Sequence, residues 1–183
     1  MVIATVGMRG DKSSRNGDPN KLYYYPKASV AVNLGEFSFM KDKPDKTLST
    51  LKVRAAYGEA GNFAVFGATY SGLGPVVFNG STGSLIGTQR GNDEIGPERQ
   101  TELEFGFDVG LMDNRLLFDF TYYIKNNKDF IYPLQIPTST GFLTYITNAG
   151  DLQNKGIEIG LDYAVIRKTD FSWNTHLAWW KNK

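Results

Sequence analysis

The stretch Thr101 to Lys125, TELEFGFDVGLMDNRLLFDFTYYIK, decides how the rest of the chain is read. In its first half Leu103, Phe105, Phe107, Val109 and Leu111 alternate with Glu102, Glu104, Gly106, Asp108 and Gly110. After Met112-Asp113-Asn114-Arg115 the alternation resumes, with Leu116, Phe118, Phe120, Tyr122 and Ile124 against Leu117, Asp119, Thr121, Tyr123 and Lys125. Side chains on a β-strand point to opposite faces at successive residues, so period-two patterning of this length describes two strands, each with one apolar and one polar surrounding. The four residues between them are enough for a tight turn and too few for a parallel crossover, which makes the pair an antiparallel hairpin. What covers the apolar side is the question the remaining sequence must answer.

The same alternation recurs along the chain. Val2, Ala4, Val6 and Met8 form one row; Ala28, Val30, Val32 and Leu34, in a strand expected to run from Tyr23 through the stretch ending NLGEF, form a second. Leu51, Val53, Ala55 and Tyr57 form a third, and Ile157, Ile159, Leu161, Tyr163 and Val165 a fourth. Phe171, Trp173, Thr175, Leu177 and Trp179 lie opposite Ser172, Asn174, His176, Ala178 and Trp180 in the final strand. About seven strands are expected in all. The connections run long, short, long, short, long, short: residues 10–20, 40–47, 59–98, 112–115, 126–148 and 166–170. The 59–98 connection is expected to be irregular throughout.

A soluble antiparallel sheet packed on a second sheet would show the same alternation. Greek-key sandwiches give no reason to sort connections by length, whereas a meander closed into a membrane barrel puts short turns at one end and long loops at the other. No apolar run reaches the roughly 18 residues of a transmembrane helix, but a spanning β-strand needs only about 9 to 11 alternating ones. Aromatics near strand ends (Tyr122, Tyr123, Trp173, Trp179, Trp180) suit interfacial girdles. The carboxylates Glu102, Glu104, Asp108, Asp119, Glu158 and Asp162 all fall opposite the apolar rows, where a wet lumen would solvate them.

Bulk composition narrows the function classes. Twenty Lys and Arg against 19 Asp and Glu give no electrostatic case for nucleic acid. With no Cys and one His, thiolate chemistry and a zinc site are without ligands, and no cofactor motif is present. The loop DKSSRNGD, Asp11 to Asp18, departs from a calcium loop at Arg15, Asn16 and Leu22. Glu102 and Glu104 are better explained as lumen lining than as a catalytic pair, and no catalytic, metal or cofactor-binding residue is assigned. The remaining candidates are loop aromatics able to stack on sugars or apolar ligands: Phe63, Phe66, Tyr70 and Phe78 in the first long loop, and Tyr132, Phe142 and Tyr145 in the second.

TVGMRGDKSSRNGDPNKLYYYPKASVAVNL, LKVRAAYGEAGN, IGPERQTELEFGFDVGLMDNRLLFDFTYYIKNNKDFI, NAGDLQNKGIEIGLDYAV and FSWNTHLAWWKNK resemble, in order, successive blocks of the SusC-like family of TonB-dependent outer-membrane transporters. The resemblance covers nearly the whole chain, the 59–98 loop matching least. It implies that residues 1–183 are part of an all-β antiparallel barrel of about 22 strands, without the plug that fills the lumen. With Met1 inside a barrel strand, the chain is expected to be a fragment of a larger product. The resemblance also implies residence in the bacterial outer membrane in contact with its lipid, extracellular placement of loops 59–98 and 126–148, and no enzymatic activity. Import of oligosaccharides, or of peptides, would then proceed with a SusD-like surface lipoprotein as lid and the TonB-ExbB-ExbD complex as energy source. The rival expectation is a soluble β-sandwich that binds carbohydrate or mediates adhesion.

Overall fold

The structure is a computed structural model that describes residues 1–37 and 47–183. The short connection expected at 40–47 lies outside the described residues except for Thr47. Seven long strands form one antiparallel sheet, entered in chain order with no crossover: β1 (Val2–Asp11), β2 (Tyr23–Asn33), β3 (Leu48–Asn62), β7 (Glu98–Leu111), β8 (Leu116–Lys128), β11 (Leu152–Arg167) and β12 (Ser172–Asn182). The long connections carry two small sheets of their own. One is the hairpin β4 (Leu73–Phe78) with β5 (Ser81–Ile86); the other joins β6 (Gln89–Arg90), β10 (Thr144–Asn148) and β9 (Ile131–Gln135) in that order.

Register converts the alternation of each strand into two continuous surfaces. Val2 pairs with Val32, Val32 with Val53, Val53 with Phe107, Phe107 with Phe120, Phe120 with Ile159, and Ile159 with Trp179. Directly paired residues share a face, so one apolar row crosses all seven strands. The row above it runs Ala4, Val30, Ala55, Phe105, Tyr122 and Ile157, and the row below runs Leu51, Val109, Phe118, Leu161 and Leu177. Phe107 stacks on Phe120 with ring centroids 5.2 Å apart and leans on Phe118 at 5.9 Å, so the band is packed within its own plane.

Among the described residues nothing packs over this band. Phe105 is 48% exposed and Leu177 61% exposed, and no residue of the three rows is among the buried hydrophobics. A soluble β-sandwich requires a second sheet at about 10 Å from the first, and none is present among the described residues; that expectation is set aside. The band has the dimension lipid requires. The nine residues from Leu103 to Leu111 extend about 30 Å at about 3.3 Å each, and a tilt of about 40° brings this to about 23 Å, against about 25 Å for the apolar belt of an outer-membrane barrel. Polar residues bound it: continuing beyond Leu103 on the same face come Thr101 and Arg99, and beyond Ile124 comes Asn126.

Several expected boundaries change. β2 ends at Asn33, not Phe37, because the Asn33 carboxamide accepts a hydrogen bond from the Gly35 backbone N–H (3.1 Å) and turns Leu34–Glu36 into a single 3-10 turn. β3 runs on to Asn62 and β8 to Lys128, shortening both long loops. The turn between β7 and β8 holds Met112, Asp113 and Asn114 at φ near +55°, a left-handed run that costs about 1–2 kcal/mol per residue. Neighbouring turns compensate: the Met112 N–H donates to Thr47 O (3.0 Å), Thr50 Oγ1 donates to Asn114 Oδ1 (2.8 Å), and Arg115 donates to the carbonyls of Ala164 and Val165 (2.8 and 2.7 Å) where β11 bulges.

A charge placed on either side of this sheet should have opposite consequences. In the barrel that carries this chain, Phe107→Arg is expected to cost about 2–4 kcal/mol in a lipid bilayer, while Asp108→Asn on the adjoining position should change stability by less than about 1 kcal/mol. Urea unfolding in liposomes measures both; equal costs would contradict the two-faced assignment.

Candidate functional site

The polar face is where the sheet can do chemistry with solutes. Its central row runs Ile3, Ala31, Arg54, Gly106, Thr121, Glu158 and Trp180, and the next runs Asn33, Lys52, Asp108, Asp119, Gly160 and Ala178. Lys52 Nζ and Arg54 Nη1 stand 3.3 and 3.6 Å from the Asp108 carboxylate, and Arg54 Nη2 donates to Thr121 Oγ1 at 2.6 Å. Arg54 can lie flat because its cross-strand partner is Gly106: a Cβ there would meet the guanidinium Nε at 2.5 Å and the Phe120 carbonyl at 2.8 Å. Lys125 lies 3.8 Å from Glu102, and His176 Nδ1 lies 2.8 Å from Asp162 Oδ1. The six carboxylates expected opposite the apolar rows are all on this face. Glu102 and Glu104 sit one strand-repeat apart among Lys27, Lys125 and Tyr123, a solvated wall and not an enclosed acid-base pair.

The long-loop end is a second unit with its own core. Ala64, Ala68, Ile95 and Ile146 are buried there and Ile131 packs against them, the one apolar cluster closed off from solvent among the described residues. The side chains of Asn92 and Asn148, with the backbone next to the buried Asn16, tie the loops together. Asn92 donates from its side chain to Ile146 O (3.0 Å) and from its backbone to Ala68 O (2.9 Å). The Asn148 side chain donates to Gly96 O (3.0 Å) and Asp129 O (2.8 Å) and accepts from the Gly96 N–H (2.9 Å). Asn16 in the first loop is 2% exposed, and the following Gly17 N–H donates to Ile95 O at 2.8 Å. Below this cap Glu98 accepts from Asn62 Nδ2 (3.0 Å) and the Ile131 N–H (2.9 Å), and Arg99 bridges Glu59 (2.5 Å) with its guanidinium over the Tyr25 ring.

The aromatic candidates do not converge on one pocket. Tyr132 and Tyr145 share a face of the small β6–β10–β9 sheet, since Tyr145 pairs with Leu134 and Thr147 with Tyr132, and Arg90 lies 5.2 Å over the Tyr145 ring. Phe66 and Tyr70 form a separate edge-to-face pair, centroids 6.3 Å apart. Phe78 stands by itself at the tip of the β4–β5 hairpin, while Phe63 and Phe142 are half-buried. The expectation that 59–98 is irregular throughout is corrected by this hairpin. Asn79 and Gly80, at φ +48° and +79°, form its two-residue turn, and Asn-Gly between apolar runs was the available signal. Asn92 and Asn148 were not anticipated, because side chains that bond backbone some 50 residues away leave no local pattern, and neither were the buried Asn16 and Ile95, whose burial depends on the packing of separate loops.

A single sheet with a lipid-facing band, a charged inner wall and its two longest connections at one end is a segment of a transmembrane β-barrel. Residues 2–182 match the family described as TonB dependent receptor-like, beta-barrel, and the chain belongs to that family, whose barrels lie in the outer membrane. TonB-dependent receptor P3 of Formosa agariphila is 34% identical over 99% of this chain and 18% of its own length. TonB-dependent receptor SusC of Bacteroides thetaiotaomicron is 27% identical over 99% of this chain and 19% of its own length. Among solved structures, the RagAB peptide importer in a closed-closed state superposes with a TM-score of 0.87 at 21% identity, over 99% of this chain and 20% of that one. The siderophore receptor PirA of Pseudomonas aeruginosa gives 0.64 at 18%, over 99% of this chain and 28% of that one. The chain thus spans about a fifth of the length of the curated relatives it matches, and those relatives are receptors, not enzymes.

The cap should be separable from the wall. Ile95→Ala is expected to cost about 2–5 kcal/mol of local stability. Hydrogen exchange should then quicken at Phe63–Pro97 and Asp129–Asp151 and stay unchanged in β7 and β8. Uniform acceleration through the strands would contradict an independent loop core.

Proposed function

We propose that this chain is the lipid-spanning wall and part of the outer vestibule of an energy-coupled importer. The observation that carries the reading is the coincidence of one uncovered apolar face, one charged inner face and the two longest connections, β3–β7 and β8–β11, at one end, in a chain of the TonB-dependent receptor family. In this reading loops 59–98 and 126–148, the latter opening at Asp129 once β8 is complete, face outward, and the turns 112–115 and 168–171 face the periplasm. Cargo enters at the loop end under a SusD-like lipoprotein lid. A plug held against the charged wall is then disturbed from the periplasmic side by the TonB-ExbB-ExbD complex, and cargo passes along the wall.

Oligosaccharides are the cargo class this reading favours. Tyr132 and Tyr145 on one sheet face, and Phe66 with Tyr70, offer flat apolar surfaces to sugar rings. The likeness to RagAB, titled a peptide importer, keeps peptides as the second cargo class.

The reading is tested in cells that express the complete receptor. Deleting it should abolish growth on one class of oligosaccharide as sole carbon source while growth on the monosaccharide persists. Replacing Tyr132 and Tyr145 together by Ala should lower oligosaccharide uptake by about tenfold at limiting concentration. Unchanged uptake in the deletion strain for both oligosaccharides and peptides would overturn import; loss of peptide uptake alone would transfer the reading to the second cargo class.

A further inference from the structure

On the inner wall the register assembles a constellation that the loop aromatics do not include. Trp180 of β12 pairs directly with Glu158 of β11, Ala178 with Gly160, and His176 with Asp162. All six therefore stand on the polar face, in the order aromatic, small, polar along β12 and acidic, small, acidic along β11. Gly160 also pairs with Asp119 of β8, whose carboxylate lies across the glycine in the space a Cβ would fill. The result is a floor of Gly160 and Ala178 with the Trp180 indole at one end and the His176–Asp162 pair (2.8 Å) at the other, enclosing a depression of about 300 Å³.

Across β3, β7, β8 and β11 the row-mates of Trp180 are Arg54, Gly106, Thr121 and Glu158, with Ala31 and Ile3 following on β2 and β1, so the indole stands beside polar and small neighbours while Trp179 stands on the lipid side. Trp180 is 70% exposed on β12, the outermost strand of the sheet, and makes no ring–ring or cation–π contact among the described residues. Glu158 and Asp119 form no ion pair among the described residues. An indole face beside free carboxylates over a floor without side-chain bulk suits a pyranose ring. Its C–H face stacks on the indole, and its hydroxyls donate to acceptor oxygens placed at the rim.

We propose that Trp180, Glu158 and Asp119, over Gly160 and Ala178, form a sugar-stacking subsite on the lumen wall for a neutral hexose unit of the cargo. The inference rests on the oligosaccharide reading above and adds both a position in the lumen and a selectivity. Asp119 and Glu158 line the depression with His176 as the one basic group there, so uronate and sulfated sugars are repelled.

The test uses the complete receptor, purified in detergent, titrated calorimetrically with a panel of neutral oligosaccharides and a matched sulfated and uronic-acid panel. The expected result is that neutral sugars bind, that Trp180→Ala weakens them by about tenfold and Trp180→Phe by much less, and that Trp179→Ala on the lipid face leaves affinity unchanged. Glu158→Gln supplies a second variant that removes charge without removing bulk, and it should admit sulfated sugars. Heat-modifiable gel migration establishes that each variant is folded. Neutral sugars bound equally well by Trp180→Ala and wild type would overturn the subsite and leave the import reading standing. Binding of peptides with no sugar bound at all would overturn the oligosaccharide reading and the subsite with it.

Discussion

Everything in this structure depends on the backbone hydrogen-bond register that aligns Val2, Val32, Val53, Phe107, Phe120, Ile159 and Trp179 in one row. Strand side chains repeat every two residues, so a slip of one position between β7 and β8 would turn Phe118 and Phe120 toward the charged wall and bring Asp119 into the apolar band. In lipid such an error has no remedy, because water is not there to solvate the carboxylate and the strands must also satisfy one another's N–H and C=O groups. The left-handed turn at Met112–Asn114 belongs to the same constraint. It is held from one side by Thr47 and Thr50 and from the other by the bulge at Ala164 and Val165, so it fixes the register of four strands at once.

The two ends of the sheet are organised by different physics. The wall has almost no buried apolar core of its own, since its apolar surface is built to meet lipid. The long-loop end does have one, around Ile95 and Ile146, with asparagine side chains replacing the backbone ladder that loops lack. That makes the long-loop end a preformed surface on which Tyr132 and Tyr145 keep a fixed relation, with Phe78 at the tip of the β4–β5 hairpin.

Most of the wall was legible from sequence because both periodicity and loop sorting are local or nearly so. The alternation around Phe107 and Phe120 specified strands and faces, and the order of connections favoured a membrane barrel while a soluble β-sandwich stayed open as the rival until the single uncovered sheet was seen. The loops were not legible to the same depth. Asn79-Gly80 was an available turn signal that irregular composition concealed. The bonds of Asn92 to Ile146 and of Asn148 to Gly96 join residues more than 50 positions apart, and no local pattern announces them. The candidate aromatics share no common pocket, Phe78, Tyr132 and Tyr145 lying in short strands within the long connections, and Trp180, read only as one of a pair near a strand end, gains its meaning from cross-strand pairing with Glu158.

The central claim is that one face of a single sheet meets lipid and the other meets the lumen. Nitroxide labels can be introduced one at a time on cysteines placed from Leu103 to Gly110 in the membrane-reconstituted receptor, any native cysteines elsewhere having been replaced. The account predicts that accessibility to dissolved oxygen peaks at Leu103, Phe105, Phe107 and Val109, and accessibility to a water-soluble nickel chelate peaks at Glu104, Gly106, Asp108 and Gly110. Loss of the two-residue alternation, or odd positions shielded from both reagents by protein, would contradict it.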